Sequence, residues 1–458
     1  MKLTIYGIRV RFGWRKQVIA LICIISVISI IFSVKVIKES EAAVSFNIAG
    51  QQNGKRNNTF MVDVRPSPAS ITLFVRMAGK LKEHRTRFYC DLFRTAVLFW
   101  PASFGKTVVV LDEESELDHE FANNLTRQTK QHFPDRKLEV LYESLPIDLS
   151  ILNGSLKSAG YNRQLWSSFF IDLYTNDRIV AWMDADVAFV TPVTQSTIFN
   201  GSKIRIQGSE CSMNISWVQS WERNTEMALG LPMLADFMTY FPVYLYRDTF
   251  THCREYILKR FNTSNFEGAF KKFYHSGFVA PVSIVITYAW FFERDRYDWN
   301  MKICGDLTSY NKRFPVGHKI APEHTESILS QPQTAFHVTY TQEALFKKML
   351  AGYCLSHRAA GNQLEMQCSK HSVSVADNLV LFNHDLQRVA PGQTPCTGRN
   401  RKDCLNVLEL HYNQVGLDIR NGRQIQWKDF ETVETLANEV DIVCLKDHER
   451  NKVIILLR

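Results

Sequence analysis

Arg178-Ile179-Val180-Ala181-Trp182-Met183-Asp184-Ala185-Asp186-Val187-Ala188-Phe189-Val190 is the stretch on which the reading of this chain turns. Ile179 to Met183 is short, uncharged and apolar, and the turn-forming Thr175-Asn176-Asp177 precedes it, so the pattern predicts a buried strand. A strand ending in Asp-x-Asp sets two hard oxygen ligands at the carboxyl edge of a sheet, where open α/β folds bind ligands. Such oxygens suit Mg²⁺ or Mn²⁺, ions commonly shared with substrate phosphates. The plainer alternative is an acidic surface turn. Against it stands the apolar Val187 to Val190, because two carboxylates inside such a run need a counter-ion.

Upstream, strand and helix signals alternate. Ile71 to Val75, Val108 to Leu111 and Leu138 to Tyr142 are β-rich runs. Helical periodicity falls between them at Arg85 to Phe99 and Leu117 to His132, and again at Arg163 to Tyr174 before the Asp-x-Asp strand. Helices of that size between strands imply parallel pairing through crossovers, hence a doubly wound α/β sheet with helices on both faces. None of the strands is followed by G-x-G-x-x-G or a P-loop, which argues against a dinucleotide or P-loop site.

The net charge is +8 over 458 residues. Residues 1–34 hold five basic residues and no acid, which leaves only +3 for the remainder. No basic stripe with interleaved aromatics occurs, so nucleic acid is an unsuitable partner. Val18 to Val34 is an uncharged apolar run behind that basic cluster. It predicts a cytosolic tail at 1–16, a transmembrane signal anchor at 17–37 and a luminal remainder, although a cleaved signal is the competing reading. Residues 38–69 are polar and read as a stem. Beyond Cys23 lie nine cysteines with no C-x-x-C pair, so structural disulfides are expected, with at least one sulfur left over. Asn57, Asn124, Asn153, Asn200, Asn214 and Asn262 open N-x-[Ser/Thr] sequons.

Basic tail, anchor, stem, alternating half and Asp184-Ala185-Asp186 together resemble a type II Golgi glycosyltransferase of the GT-A fold. The stretch Gly160-Tyr161-Asn162-Arg163-Gln164-Leu165-Trp166-Ser167-Ser168-Phe169-Phe170 is similar to segments of GT-A-like animal proteins. The resemblance spans roughly residues 70–345. It implies a GT-A-like domain over 70–350 and a metal-dependent transferase that moves sugar from a nucleotide-diphosphate donor, a UDP-sugar for preference, to a glycan, glycolipid or protein. It also implies Asp186 on a Mn²⁺ or Mg²⁺ bridging the donor phosphates, and Asp184 on ribose or metal. The order His275-Ser276-Gly277, then Glu293-Arg294-Asp295, then His337 matches the family's glycine turn, acidic pair and metal-completing histidine, with His324 a second histidine in range.

Glu293 or Asp295 is then the candidate general base on the acceptor, against a solvated face at the end of an aromatic helix. His337 is a metal ligand or a core histidine. Arg163 reaches a diphosphate oxygen or is an exposed helix charge. Trp290, Tyr297, Trp299 and Phe292 form a sugar-stacking wall or pack in the core. Residues 351–458, with five cysteines, read as a disulfide-braced extension in which Asp441 to Cys444 and Val453 to Leu457 are strands. Two rivals share the motif: a haloacid-dehalogenase-type phosphatase, and a non-catalytic membrane-anchored ectodomain that keeps the fold.

Overall fold

The computed structural model describes residues 3–5, 8–10, 70–143, 145–152, 158–238, 241–274, 279–325, 334–336, 342–363, 368, 374–376, 379, 396 and 401–444. The chain divides into two units, Met1–Arg65 and Pro66–Arg458. In the first, β1 (Leu3–Ile5) and β2 (Ile8–Val10) pair antiparallel. The expected anchor and stem lie outside the described residues. Among the described residues no helix is long and apolar enough to cross a membrane.

The second unit carries β3 (Ile71–Arg76), β4 (Thr107–Leu111), β5 (Leu138–Tyr142), β6 (Ile179–Asp184), β7 (Val187–Phe189), β8 (Phe199–Asn200), β9 (Lys203–Ser209), β10 (Val243–Tyr246), β11 (Tyr297–Lys302) and β12 (Thr334–Phe336). The central sheet has the order β10-β6-β3-β4-β5. All of its pairs are parallel except β10 with β6. A smaller sheet has the order β11-β9-β8, and β12 pairs antiparallel with β7. The fold is therefore mixed α/β with a mainly parallel central sheet flanked by helices. β3, most of β4 and β6 are buried along their length, as expected of parallel strands covered on both faces.

After β3 the chain builds β4 and β5 on one side and returns with β6 on the other. The winding reverses between β3 and β6, where Arg76 is level with Asp184 at the carboxyl edge. That is the crevice in which an open α/β sheet binds ligands.

The helices that set this edge start and stop for local reasons. α1 (Lys82–Arg87) passes through a π-helical turn (Phe88–Phe93) into α2 (Arg94–Phe99). α3 (Glu116–His132) is capped by Ser115, whose side chain accepts from the Asp118 N–H, with Glu116 and Asp118 in its first turn and Lys130 and His132 in its last. α4 (Ala159–Ser167) begins at Ser158, which accepts from the Tyr161 N–H. Further on come α5 (Arg247–Arg260), α6 (Pro281–Phe292), α7 (Gln342–Ala360), α8 (Arg401–Arg420) and α9 (Trp427–Asn438).

The C-terminal region is not a separate lobe. Trp427, Phe430, Val433 and Leu436 of α9 belong to the same apolar cluster as Val75 and Val109 of the sheet. α7 runs through the expected boundary at 350 and approaches the chain after β7 so closely that a Cβ at Gly352 would collide with the Val190 carbonyl. Cys90 in the π-helical turn is bonded to Cys444. Cys211–Cys304, Cys354–Cys368 and Cys396–Cys404 are also bonded, which leaves Cys253, among the described residues, as a buried thiol. One expectation fails here: 442–444 are not a strand. Cys444 is fixed by its sulfur rather than by a ladder. The strand expected at 453–457 lies outside the described residues.

Candidate functional site

Five elements bring charge to the carboxyl edge: the ends of β3, β4, β5 and β6, and α4. On the β3–β5 side the charges close on one another. Arg76 Nη2 donates to Asp112 Oδ1 at 2.5 Å and to Glu143 Oε2 at 2.7 Å. Lys80 Nζ lies 3.0 Å from Asp112 Oδ2. Arg163 Nη2 donates to Glu114 Oε2 at 2.9 Å, and the same guanidinium binds Glu143. Three carboxylates thus meet three cations. Burial alone would raise the Asp112 carboxyl, but Arg76 and Arg163 hold it below its ordinary range. Glu114 is likewise held low, by the Arg163 hydrogen bond against the cost of burial. Asp118 pins the loop after β3 by accepting from the N–H groups of Gly79 (2.5 Å) and Lys80 (3.0 Å). A Cβ at Gly79 would sit 2.9 Å from that carboxylate, which is why the position is glycine.

At the end of β6 the arrangement is open. Asp184 Oδ1 lies 3.5 Å from Gln164 Nε2 of α4. Asp186, in the turn into β7, has the Arg87 Nη1 at 3.6 Å, and Arg87 is already engaged to Glu83 at 2.5 Å. Among the described residues no other cation lies within ion-pair distance of either acid. Burial, and next the Asp186 carboxylate, push the Asp184 carboxyl up to about 7. Tyr161, at the start of α4, is raised by burial and by Asp184. Two acids and a shared cation make this the surplus negative charge of the edge.

That donor set fits a hard divalent ion, because carboxylate oxygens with excess charge are what Mg²⁺ and Mn²⁺ take. Two carboxylates do not complete a shell. Among the described residues no third His, Cys, Asp or Glu gathers with them. Substrate oxygens or a residue beyond the described set would have to do so. His337 lies outside the described residues. Its chain neighbour Phe336 is paired with Val187, the residue that follows Asp186.

The other expected residues are placed elsewhere. Arg163 is buried and its guanidinium is taken up by Glu114 and Glu143, so it is neither an exposed helix charge nor free for a phosphate. Glu293 does not face the acid pair. It accepts from Thr249 Oγ1, His252 Nδ1 and Arg296 Nη1, each at 2.7 Å. Thr249 belongs to α5, which starts directly after Tyr246, and Tyr246 is level with Ile179 at the opposite end of β6. The strand length between Ile179 and Asp184 is ~16 Å at about 3.3 Å per residue, too far for one carboxylate to serve both edges. Asp295 is exposed in the turn next to Glu293. The general-base assignment for these two is corrected on that ground. Trp290, Tyr297 and Trp299 are buried and pack on one another, so they are core and not a sugar-facing wall; Phe292 alone is half exposed. His324 sits edge-on to Trp290. His275, Ser276 and Gly277 lie outside the described residues.

Sequence reading missed Arg87, which lies 99 positions before Asp186 and carries no motif. It also passed over Gln164 and Tyr161, although they flank Arg163 in the helix that precedes the motif strand.

No family model matches the chain, and no curated protein does. Among solved structures, the apo form of mouse xyloside xylosyltransferase 1 is similar at 14% identity and TM-score 0.27, over 53% of this chain and 91% of that one. An active-site mutant of LgtC matches at 10% identity and TM-score 0.30, over 58% and 86% respectively. The bifunctional glycosyltransferase WbbM matches at 11% identity and TM-score 0.29, over 54% and 41%. At these TM-scores the likeness carries no inference about activity.

Proposed function

We propose that this chain is a metal-dependent glycosyltransferase, moving a sugar from a nucleotide-diphosphate donor, a UDP-sugar for preference, to a glycan, glycolipid or protein acceptor. The observation that carries the reading is the pairing of β12 with β7, in which Phe336 stands opposite Val187. His337 is the next residue of the chain after Phe336. An Asp-x-Asp at a switch-point strand, with a histidine next in sequence after the strand paired to β7, supplies ligand types such an ion takes. Asp184, Asp186 and His337 then hold Mn²⁺ or Mg²⁺. When bound, the ion neutralises the leaving diphosphate. Gln164 orients Asp184, and Arg87 yields Asp186 to the ion. The buried network of Arg76, Asp112, Glu143 and Arg163 holds the floor rigid beside them. The same reading takes 17–37 as a type II anchor and makes the Golgi lumen the site of action.

One observation favours the rival ectodomain: Arg87 already stands beside Asp186. If that contact is permanent, the acid pair is structural. Full-length protein in detergent, incubated with a panel of nucleotide sugars, separates the readings. The expected result is hydrolysis of one nucleotide sugar that requires Mn²⁺ and is abolished by Asp186→Asn at an unchanged melting temperature. Turnover persisting in Asp186→Asn, phosphate release from simple monoesters, or no turnover with any donor would each defeat the proposal.

A further inference from the structure

A broad groove lies away from the acid pair. It lies at the amino edge of the sheet, between the segments that lead into β4 and β5 and the C-terminal region, and encloses about 1050 Å³. That is the upper end of the ~300–1,000 Å³ typical of ligand sites, so it holds several linked units. Phe104, Gln195 and Phe199 line one wall, and Gln414, Asp418 and Gln424 the other.

The lining selects a ligand class. Arg136 and Arg423 reach the groove, but their guanidiniums are spent on main-chain carbonyls at the end of α2 and at Val193. Arg136 donates to Trp100 O at 3.0 Å and to Val97 O; Arg423 donates to Phe99 O at 2.5 Å and to Val193 O. Asp135, Asp418 and Asp429 outnumber them, so a polyanion finds no unspent cation. Side-chain amides offer donor and acceptor at once, which suits hydroxyl-rich chains. The half-buried rings of Phe104 and Phe199 supply apolar faces for sugar C–H groups. The nearest strand edge, β8, is two residues long, too short to register an extended peptide.

The chain itself supplies a candidate occupant. Asn200-Gly201-Ser202 is a sequon, Asn200 is exposed, and both its neighbours, Phe199 and Gly201, line the groove. It sits on the β8–β9 hairpin, paired with Lys203, with Gly201 at φ 59° making the turn. Four disulfides agree with folding in an oxidising, secretory compartment. We propose that Asn200 carries an N-linked oligosaccharide that folds back into this groove and bridges the sheet region to the C-terminal helices. In the attachment step the Asn200 amide nitrogen bonds to the anomeric carbon of a lipid-diphosphate-linked oligosaccharide. The sugar–oxygen bond to the diphosphate breaks, the diphosphate leaves with that electron pair, and one amide proton is lost; nothing is oxidised. The inference is independent of the transfer reaction at the opposite edge.

The test uses full-length protein made through a eukaryotic secretory pathway. Glycopeptide mass spectrometry reads occupancy, and peptide-N-glycosidase digestion of the native protein reads protection. The expected result is an occupied Asn200 whose glycan is released about tenfold more slowly than those at the exposed Asn214 and Asn262, since release must wait for the glycan to leave its seat. A Gln195→Ala/Gln424→Ala double variant, altering two exposed side chains, should restore fast release at unchanged occupancy. An unmodified Asn200, equal release rates in the wild type, or protection that survives the double variant would each overturn the proposal.

Discussion

The two halves of the carboxyl edge are built from the same residue types and end in opposite states. Beside β3, β4 and β5, three acids meet three cations, with contacts of 2.5 to 3.0 Å. At the end of β6, Asp186 has one guanidinium at 3.6 Å, which it shares with Glu83, and Asp184 has an amide at 3.5 Å. A closed network of that kind holds a fold in register and is indifferent to added ions. An acid surplus costs free energy until a cation arrives, and proteins keep such costs where something binds. The difference is one of charge balance, which makes it measurable.

The largest effect should come from opening the closed half. Arg76→Ala leaves Asp112 and Glu143 buried without their shared partner. A loss of about 3–5 kcal/mol in urea unfolding is expected. At neutral pH, Asp184→Asn should cost nothing or stabilise slightly, because it removes one of two like charges. If both variants lose stability alike, the contrast between the halves is not real.

Acidity sharpens the same contrast through opposite signs. Asp184 is raised to about 7 in the folded chain, so folded protein keeps a proton that unfolded chain releases near the ordinary carboxylate range. That contribution is fully present below the ordinary carboxylate pKa and is lost as pH rises through about 7. Asp112 is lowered, so its contribution is present above the ordinary carboxylate pKa and lost only as pH falls below it. The stability of wild type relative to Asp184→Asn should therefore be greatest near about pH 4, fall as pH rises towards about 7, and level off above it. A flat difference across that range would remove the case for a strained Asp184.

The smallest effect concerns Arg87. As a partly exposed pair its contact with Asp186 is worth ~0.5–1 kcal/mol. Arg87→Gln should thus tighten Mn²⁺ binding in the absence of donor by roughly two- to fivefold, read by calorimetry. Unchanged affinity would mean that Arg87 does not compete with the ion.

Much of the sheet was legible because its strands are written as short β-rich runs: Leu138–Tyr142 and Ile179–Asp184 have the expected bounds. The acid pair was legible for the same reason, since it closes such a run. What the sequence hides is partnership across distance. Arg163 looked available because Glu114 and Glu143, 49 and 20 positions away, carry no local sign of facing it. Glu293 looked catalytic from its place in the order of motifs that the resemblance implies, but β10 runs antiparallel to β6 and carries α5, and Glu293 with it, to the far edge. Asp441 to Cys444 read as a strand from its β-branched residues, while a sulfur bond to Cys90 dictates its course. The α9 helix was missed although Trp427, Phe430, Val433 and Leu436 recur every three residues; that spacing was a usable signal.

The Cys90–Cys444 bond also orders events in time. Its two sulfurs stand 354 positions apart, so at ~5–20 residues per second the first thiol waits roughly 20–70 s for the second to be synthesised. During that interval the β3–β6 region exists with an unpaired cysteine in the helix that covers it. A chain cut short before residue 444 would leave Cys90 without its partner, so the bond that closes on α9's far end can form only once nearly the whole chain exists.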